Sequence, residues 1–214
     1  MEKNKKNNLI EMILIVLALI LFIVNTIFVL TGKCSSIDEN VHDFIRLFAS
    51  DSMDKIMKIF TFLGCTTFMI ILALFLLIYF LVKKEKINAL MSVGGLIVST
   101  ILNNIVKFII RRPRPEYITV VEKTFSYPSG HTMASTTIYG LLIYIISKSN
   151  INKSVKIVSN IILSLLILLV PISRIYLGAH YFTDVYGAAL LSLIIILIII
   201  LINSNRKNRK KDKK

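Results

Sequence analysis

The sequence predicts an all-α fold: a six-span transmembrane helix bundle with a short amphipathic interfacial helix between spans 1 and 2. Three observations predict it. First, 55% of the 214 residues are hydrophobic and the mean hydropathy is +0.74, above the roughly 45–50% apolar content of soluble domains. Second, apolar runs recur at 9–30, 56–82, 87–110, 131–147, 155–172 and 185–203, mostly near the ~20 residues needed to cross a bilayer. Third, lysines and arginines gather at the ends of these runs. What remains is short connections, so residues 1–214 read as a single integral-membrane domain.

The formal charge of +14 suggests nucleic acid in a soluble protein, but its placement at span ends argues against a nucleic-acid partner and for the bilayer. Lys3, Lys5, Lys6, Lys83, Lys84, Lys86, Lys148, Lys153, Lys156 and the tail from Arg206 to Lys214 fall on one side of a six-span layout. They make up 16 of the 26 basic residues and face only Glu2, Glu11, Glu85 and Asp212. The positive-inside rule then puts both termini in the cytoplasm. The protein is expected in the cell membrane, as a multi-pass chain.

Taken in order, the first run follows a basic start but exceeds the ~7–15 apolar residues of a signal peptide and has no small-x-small cleavage site. It reads as a retained span. In the connection to span 2, Ile37, Val41, Phe44, Ile45 and Phe48 recur at helical spacing among Asp38, Glu39, Asp43 and Arg46, the pattern of an interfacial amphipathic helix. It serves either as a guide for lipid or simply to pack the loop on the bundle. Cys34 and Cys65 form no metal-ligand or redox pattern. Span 3 carries Thr100, Asn103, Asn104 and Lys107 at helical spacing, a stripe that belongs against other helices or a watery cavity.

Three polar islands then interrupt the apolar pattern, all on the outer side by charge counting. The first runs from Lys107 through Arg111 and Arg112 to Arg114-Pro115. Arginine presents a planar fork that matches phosphate and lysine a point charge; the alternative is an ordinary basic cluster flanking a membrane segment. The second, Ser126-Tyr127-Pro128-Ser129-Gly130-His131-Thr132, precedes a helix. Glycine permits close backbone approach, free N–H groups at a helix start favour anions, and His131 is placed to protonate a leaving oxygen.

The third island is Ser173-Arg174, His180 and Asp184. A charge at mid-bilayer costs about 2.5–3.5 kcal/mol, so three ionisable residues between two apolar runs need a reason. His180 and Asp184 share one face if helical. The pair is either a structural hydrogen bond or a nucleophile whose tautomer an aspartate fixes. A two-histidine, one-carboxylate metal site from His131, His180 and Asp184 is disfavoured, because Lys107, Arg112, Arg114 and Arg174 would repel a cation where they would stabilise a phosphate.

Lys107-x6-Arg114-Pro115, Pro128-Ser129-Gly130-His131 and Ser173-Arg174-x5-His180-x3-Asp184 resemble the three signature motifs of the type 2 phosphatidic acid phosphatase family, whose superfamily includes vanadium haloperoxidases and bacterial acid phosphatases. The six-span layout is similar to its membrane lipid phosphatases. The resemblance implies that Lys107, Arg114 and Arg174 hold phosphate oxygens, assisted by Ser129 and the Gly130 N–H, with Arg112 in support. It implies that His180 forms a phosphohistidine, that Asp184 orients it and that His131 protonates the leaving group, with no metal or other cofactor. The implied substrate is a membrane lipid phosphate or diphosphate, such as phosphatidylglycerophosphate, phosphatidic acid or undecaprenyl diphosphate. A lipid-linked phosphotransferase, or a non-catalytic lipid-phosphate binding or transport protein, are the alternatives.

Overall fold

The chain was described with a computed structural model covering residues 2–116 and 124–211, with side chains over 8–116 and 124–206. The side chains of Lys3, Lys5 and Lys6 and of the tail from Lys207 onward, counted above for orientation, lie outside the described residues, as does Lys123. Every element among the described residues is helical: α1 (Glu2–Leu30), α2 (Ser35–Arg46), α3 (Asp51–Phe62), α4 (Thr66–Val82), α5 (Lys86–Ile110), α6 (Gly130–Lys148), α7 (Lys153–Tyr176) and α8 (Phe182–Lys211).

Polar side chains placed before apolar runs start several of these helices. Ser50 accepts a hydrogen bond from the Met53 N–H at 3.2 Å, and Asn152 one from the Ser154 N–H at 2.8 Å, satisfying donors that a helix start leaves open. The lipid-facing character of α1 is plain in Ile10, Ile13, Leu17, Ile20 and Val24, all exposed. α6 is the opposite. Thr132, Met133, Ser135, Thr137, Ile138 and Leu141 are buried along it, and it packs on α4, α5, α7 and α8. α1 lies against α8.

Among the described residues, four helices are long and apolar enough to cross a membrane: α1, α5, α7 and α8. The expected single span over 56–82 is two helices, α3 and α4, bent by 46°; taken together they make a fifth. The break falls at Gly64, where a Cβ would stand 2.4 Å from Val170 Cγ1, so α7 comes too close for any larger residue there. The Leu63 carbonyl freed by the break accepts from Tyr139 Oη at 2.7 Å. α6, the counterpart of the expected fourth span, is a 19-residue helix that falls short of that measure. Thr132, Ser135, Thr136 and Thr137 face protein, and its central position explains why it is less apolar than its neighbours.

α2 is the expected amphipathic helix: Ile37 and Phe44 are exposed, as an interfacial helix requires, and Asp38 is turned inward.

Candidate active site

The three islands meet at one end of the bundle, where α5 and α7 finish and α6 and α8 begin. Lys107 sits in the last turn of α5, 7% exposed. Its Nζ donates to the carbonyls of Phe125 and Ser126, tying α5 to the segment that leads into the second island. α5 ends at Arg111, which is left-handed at φ 51°. That residue turns outward, its guanidinium 4.6 Å above the Phe108 ring. The chain beyond carries Arg114 back over the site. Its Nε donates to the Thr124 carbonyl and one terminal nitrogen to the Ala179 carbonyl, both at 2.7 Å.

The second island delivers α6. Ser129 is its N-cap, accepting from the Thr132 N–H at 3.4 Å and from Thr132 Oγ1 at 2.9 Å. The Ser129 hydroxyl, expected to assist phosphate binding, is therefore fully buried and engaged in starting the helix. Gly130 lies against Asn103, whose Oδ1 would be 3.3 Å from an added Cβ. Asn103 Nδ2 donates to the Pro128 carbonyl at 3.0 Å. The polar stripe of span 3 thus fastens the Pro-Ser-Gly turn.

The third island is a tight reversal. α7 contains Pro171 and ends at Tyr176, and Gly178 follows with φ 68°, a conformation glycine adopts without steric cost. The reversal brings the Ala179 and His180 N–H groups back to the Arg174 carbonyl at 3.0 and 3.2 Å. Arg174 is 2% exposed and donates to Thr61 Oγ1 at 2.5 Å.

His180 is buried between two unlike environments. Its Nε2 lies 3.4 Å from a terminal nitrogen of Arg114; arginine can only donate, so Nε2 presents its lone pair. Its Nδ1 lies 3.5 Å from Asp184 Oδ2 and 3.4 Å from Ser126 Oγ. A carboxylate opposite Nδ1 favours the tautomer protonated there. Burial pushes the imidazole down to about 4, Arg174 and Arg114 push the same way, and Asp184 opposes them. At neutral pH the ring is neutral.

Asp184 is fully buried. Its Oδ2 accepts from Ser126 Oγ and from the Tyr181 N–H at 3.0 Å, and its Oδ1 from Arg112 at 2.7 Å. Arg112 was expected beside the phosphate; the structure turns its guanidinium the other way. One terminal nitrogen serves Asp184 and Thr183 Oγ1 (2.8 Å), the other Asp38 (2.6 Å), and the group stacks 4.0 Å from the Tyr181 ring. Burial works against its charge, but Asp184 and Asp38 raise its pKa further above the ordinary arginine range.

A cavity of about 580 Å³ opens beside this cluster. Lys107, Arg114, His131, His180 and Gly130 line its head; Met69, Ile70, Leu96, Ile97 and Ile101 line the remainder together with the polar Ser99, Thr100, Asn103 and Asn104. His131 and His180 thus share one space with two of the cations. Among the described residues, no three His, Cys, Asp or Glu side chains are arranged to hold a metal ion.

Sequence reading missed Asp38, Thr183 and Thr61 as members of this cluster, and gave Ser126 and Tyr127 of the second island no role. The Tyr127 hydroxyl meets Asn25 at 3.2 Å and Thr26 at 2.8 Å. The signal for that anchor was present: two adjacent polar residues inside an apolar run on α1, which need a polar neighbour in a membrane.

Comparison with known proteins identifies the family. The family model of the PAP2 superfamily matches residues 88–208. Phosphatidylglycerophosphatase B of Bacillus subtilis (strain 168) is 30% identical over 170 residues, covering 77% of this chain and 82% of that protein. The crystal structure of a transmembrane PAP2 type phosphatidylglycerolphosphate phosphatase from Bacillus subtilis superposes with a TM-score of 0.82 at 26% identity, covering 89% of this chain and 96% of that one. Aquifex aeolicus LpxE shares the fold, with a TM-score of 0.62 at 23% identity over 75% of this chain and 93% of that one. The chain belongs to the PAP2 superfamily.

Proposed function

We propose that the chain removes the terminal phosphate of a membrane lipid through a phosphohistidine on His180, without a metal ion. Its family membership makes it a membrane lipid phosphatase, a hydrolase of lipid phosphates; the substrate and the chemical route are what we propose. The observation that carries the route is His180 itself. Its Nε2 lies beside Arg114 at the head of the cavity while Nδ1 faces Asp184.

In this mechanism Lys107, Arg114 and Arg174 hold the phosphate oxygens, with the Gly130 N–H at the start of α6 and Ser129 assisting. His180 Nε2 attacks phosphorus, the bond to the leaving oxygen breaks, and His131 gives that oxygen its proton. Asp184 stabilises the imidazolium character that His180 gains. Water then attacks the phosphohistidine, passes a proton to His131 and releases inorganic phosphate. The cations offset the charge that develops on the transferring group. Arg112 supports the reaction through Asp184.

The apolar side chains of the cavity, Met69, Ile70, Leu96, Ile97 and Ile101, offer a surface for an acyl or isoprenoid chain, which favours a lipid over a soluble phosphate ester. Phosphatidylglycerophosphate is the leading substrate, since the curated relative and the solved structure, both from Bacillus subtilis, bear its name; phosphatidic acid and undecaprenyl diphosphate are the other candidates. We further propose six crossings within one membrane domain, counting α3–α4 as one bent span and α6 as a central one. Both termini are then cytoplasmic and the site lies at the outer face.

The test is phosphate release by purified protein from a panel of these lipids. His180→Ala should stay folded and lose activity by about 10⁴-fold or more, the scale of removing a covalent nucleophile. Wild-type activity should be inhibited by vanadate and indifferent to EDTA. An active His180→Ala enzyme, or strict dependence on a divalent metal, would refute the route.

A further inference from the structure

Asp38 is 1% exposed, whereas its neighbours on α2, Glu39 and Asp43, face outward. Meanwhile Ile37, Phe44, Leu47 and Phe48 in and just after α2 are exposed. The helix has spent its inward face on a carboxylate and left apolar side chains outside. A buried carboxylate is costly unless it is paired and hydrogen-bonded, so its contacts show what holds it there.

Asp38 Oδ1 accepts from the Thr183 backbone N–H at 2.9 Å and from Thr183 Oγ1 at 3.0 Å. Its Oδ2 accepts from Arg112 at 2.6 Å. Thr183 immediately precedes Asp184 in the first turn of α8, and the other terminal nitrogen of Arg112 donates to Asp184 Oδ1 at 2.7 Å. Asp38 therefore reaches Asp184 by two routes, the backbone beside it and the guanidinium across from it. The charges alternate along the line: carboxylate, guanidinium, carboxylate, then the imidazole. With Asp38 absent, Arg112 would lose one of its two carboxylates and Thr183 the acceptor of its N–H and hydroxyl, leaving the first turn of α8 held from outside by Asn25, Arg112 and the Ser129 N–H.

We propose that Asp38 is a positioning residue for the phosphatase reaction. It fixes Arg112 and the start of α8 so that Asp184 keeps His180 Nε2 aimed into the cavity. This rests on the reading of His180 as nucleophile. Asp38 does not line the cavity, so its loss acts on turnover and leaves substrate capture alone.

The experiment uses the full chain in mixed micelles with dioctanoyl phosphatidic acid, comparing Asp38→Ala, Asp38→Asn, Arg112→Ala, the Asp38→Ala/Arg112→Ala pair and His180→Ala. Asp38→Ala should lower kcat by about 10²-fold, the scale of a small misplacement of a reacting group, with KM within about threefold. The double variant should be little worse than the poorer single one, because both act through Asp184. Asp38→Asn, which keeps an oxygen but not the charge, should fall between and serves as the readout if Asp38→Ala fails to fold. Turnover within about threefold of the unaltered chain in both Asp38 variants, a loss confined to KM, or multiplying losses in the double variant would each overturn the proposal. With His180→Ala inactive, those results remove only the role of Asp38; an active His180→Ala removes the nucleophile and this proposal together.

Discussion

Replacing Gly187 by alanine should damage the site from a position that touches no reacting group. An added Cβ would lie 2.5 Å from Tyr127 Oη and 2.9 Å from its Cε2 and Cζ, against about 3.5–4.0 Å for ordinary contact. The ring would have to retreat by about 0.5–1 Å, and it has nowhere to go. Tyr127 is fully buried, stacked on Phe22 at 6.2 Å, with its hydroxyl engaged by Asn25 and Thr26. Overpacking of this kind costs about 1–3 kcal/mol, and each of the two hydroxyl hydrogen bonds lost adds about 0.5–1.5 kcal/mol, so the total is about 2–6 kcal/mol. Tyr127 sits between Ser126, which donates to Asp184, and the Pro128 carbonyl held by Asn103. The shift is thus delivered to the proposed catalytic pair. Gly94→Ala is the control, since its added Cβ would meet only Leu90 Cδ1, at 3.9 Å, and alanine is favoured over glycine in a helix by about 1 kcal/mol. Thermal unfolding in detergent and phosphate release should show Gly187→Ala less stable and at least about 10-fold slower, with Gly94→Ala unchanged or more stable. Gly187→Ala matching Gly94→Ala in both assays would refute the packing argument.

Because the free His180 imidazole is pushed down to about 4, its nucleophilic neutral form is available throughout neutral pH. The acid limb of kcat/KM assigned to it should fall well below the ordinary histidine value near 6.5; a pH–rate profile with a His180-dependent limb near 6.5 would contradict this. The same depression makes the unfolded chain bind more protons between about 6.5 and 4. The stability due to keeping His180 neutral is therefore fully present above about 6.5 and lost as pH falls towards 4. Unfolding temperature against pH should show that loss shrinking in His180→Gln. Lys107→Ala should lower kcat/KM by about 10²–10³-fold, with Lys107→Arg retaining part of it, measured in the same lipid assay.

The apolar runs, the three islands and their common end of the bundle were legible because each rests on a local pattern. Helical spacing placed Lys107 with Asn103, and short-range order placed Ser129 at a helix start and His180 one turn from Asp184. What was illegible depends on tertiary approach. Asp38, Glu39 and Asp43 look alike in sequence; only the docking of α2 beside Thr183 distinguishes the first. Arg112 and Arg114 both read as phosphate ligands, two residues apart. Their guanidinium groups part company because two buried carboxylates, Asp184 and Asp38, recruit one of them. The break at Gly64 reflects the closeness of Val170, a contact between residues more than a hundred positions apart.

The arrangement around His180 explains why burial and a surplus of cations serve the proposed chemistry. On the Nε2 side stands Arg114, with Lys107 at the same cavity; on the Nδ1 side stand Asp184, then Arg112, then Asp38. In the free protein burial and the cations both disfavour imidazolium, which keeps the nucleophile unprotonated. A bound phosphate brings negative charge to the Nε2 side and offsets the cations. The positive charge that His180 acquires on attack then faces Asp184 without opposition from them. The cations thus act twice, against premature protonation and for the transferred phosphoryl group. A lone Asp184 would tilt this balance towards protonation. Its ion pair with Arg112 tempers that pull, and Asp38 in turn keeps Arg112 in place. The polar line across the site therefore reads as a graded support for one imidazole, anchored at its far end by a helix with exposed apolar side chains.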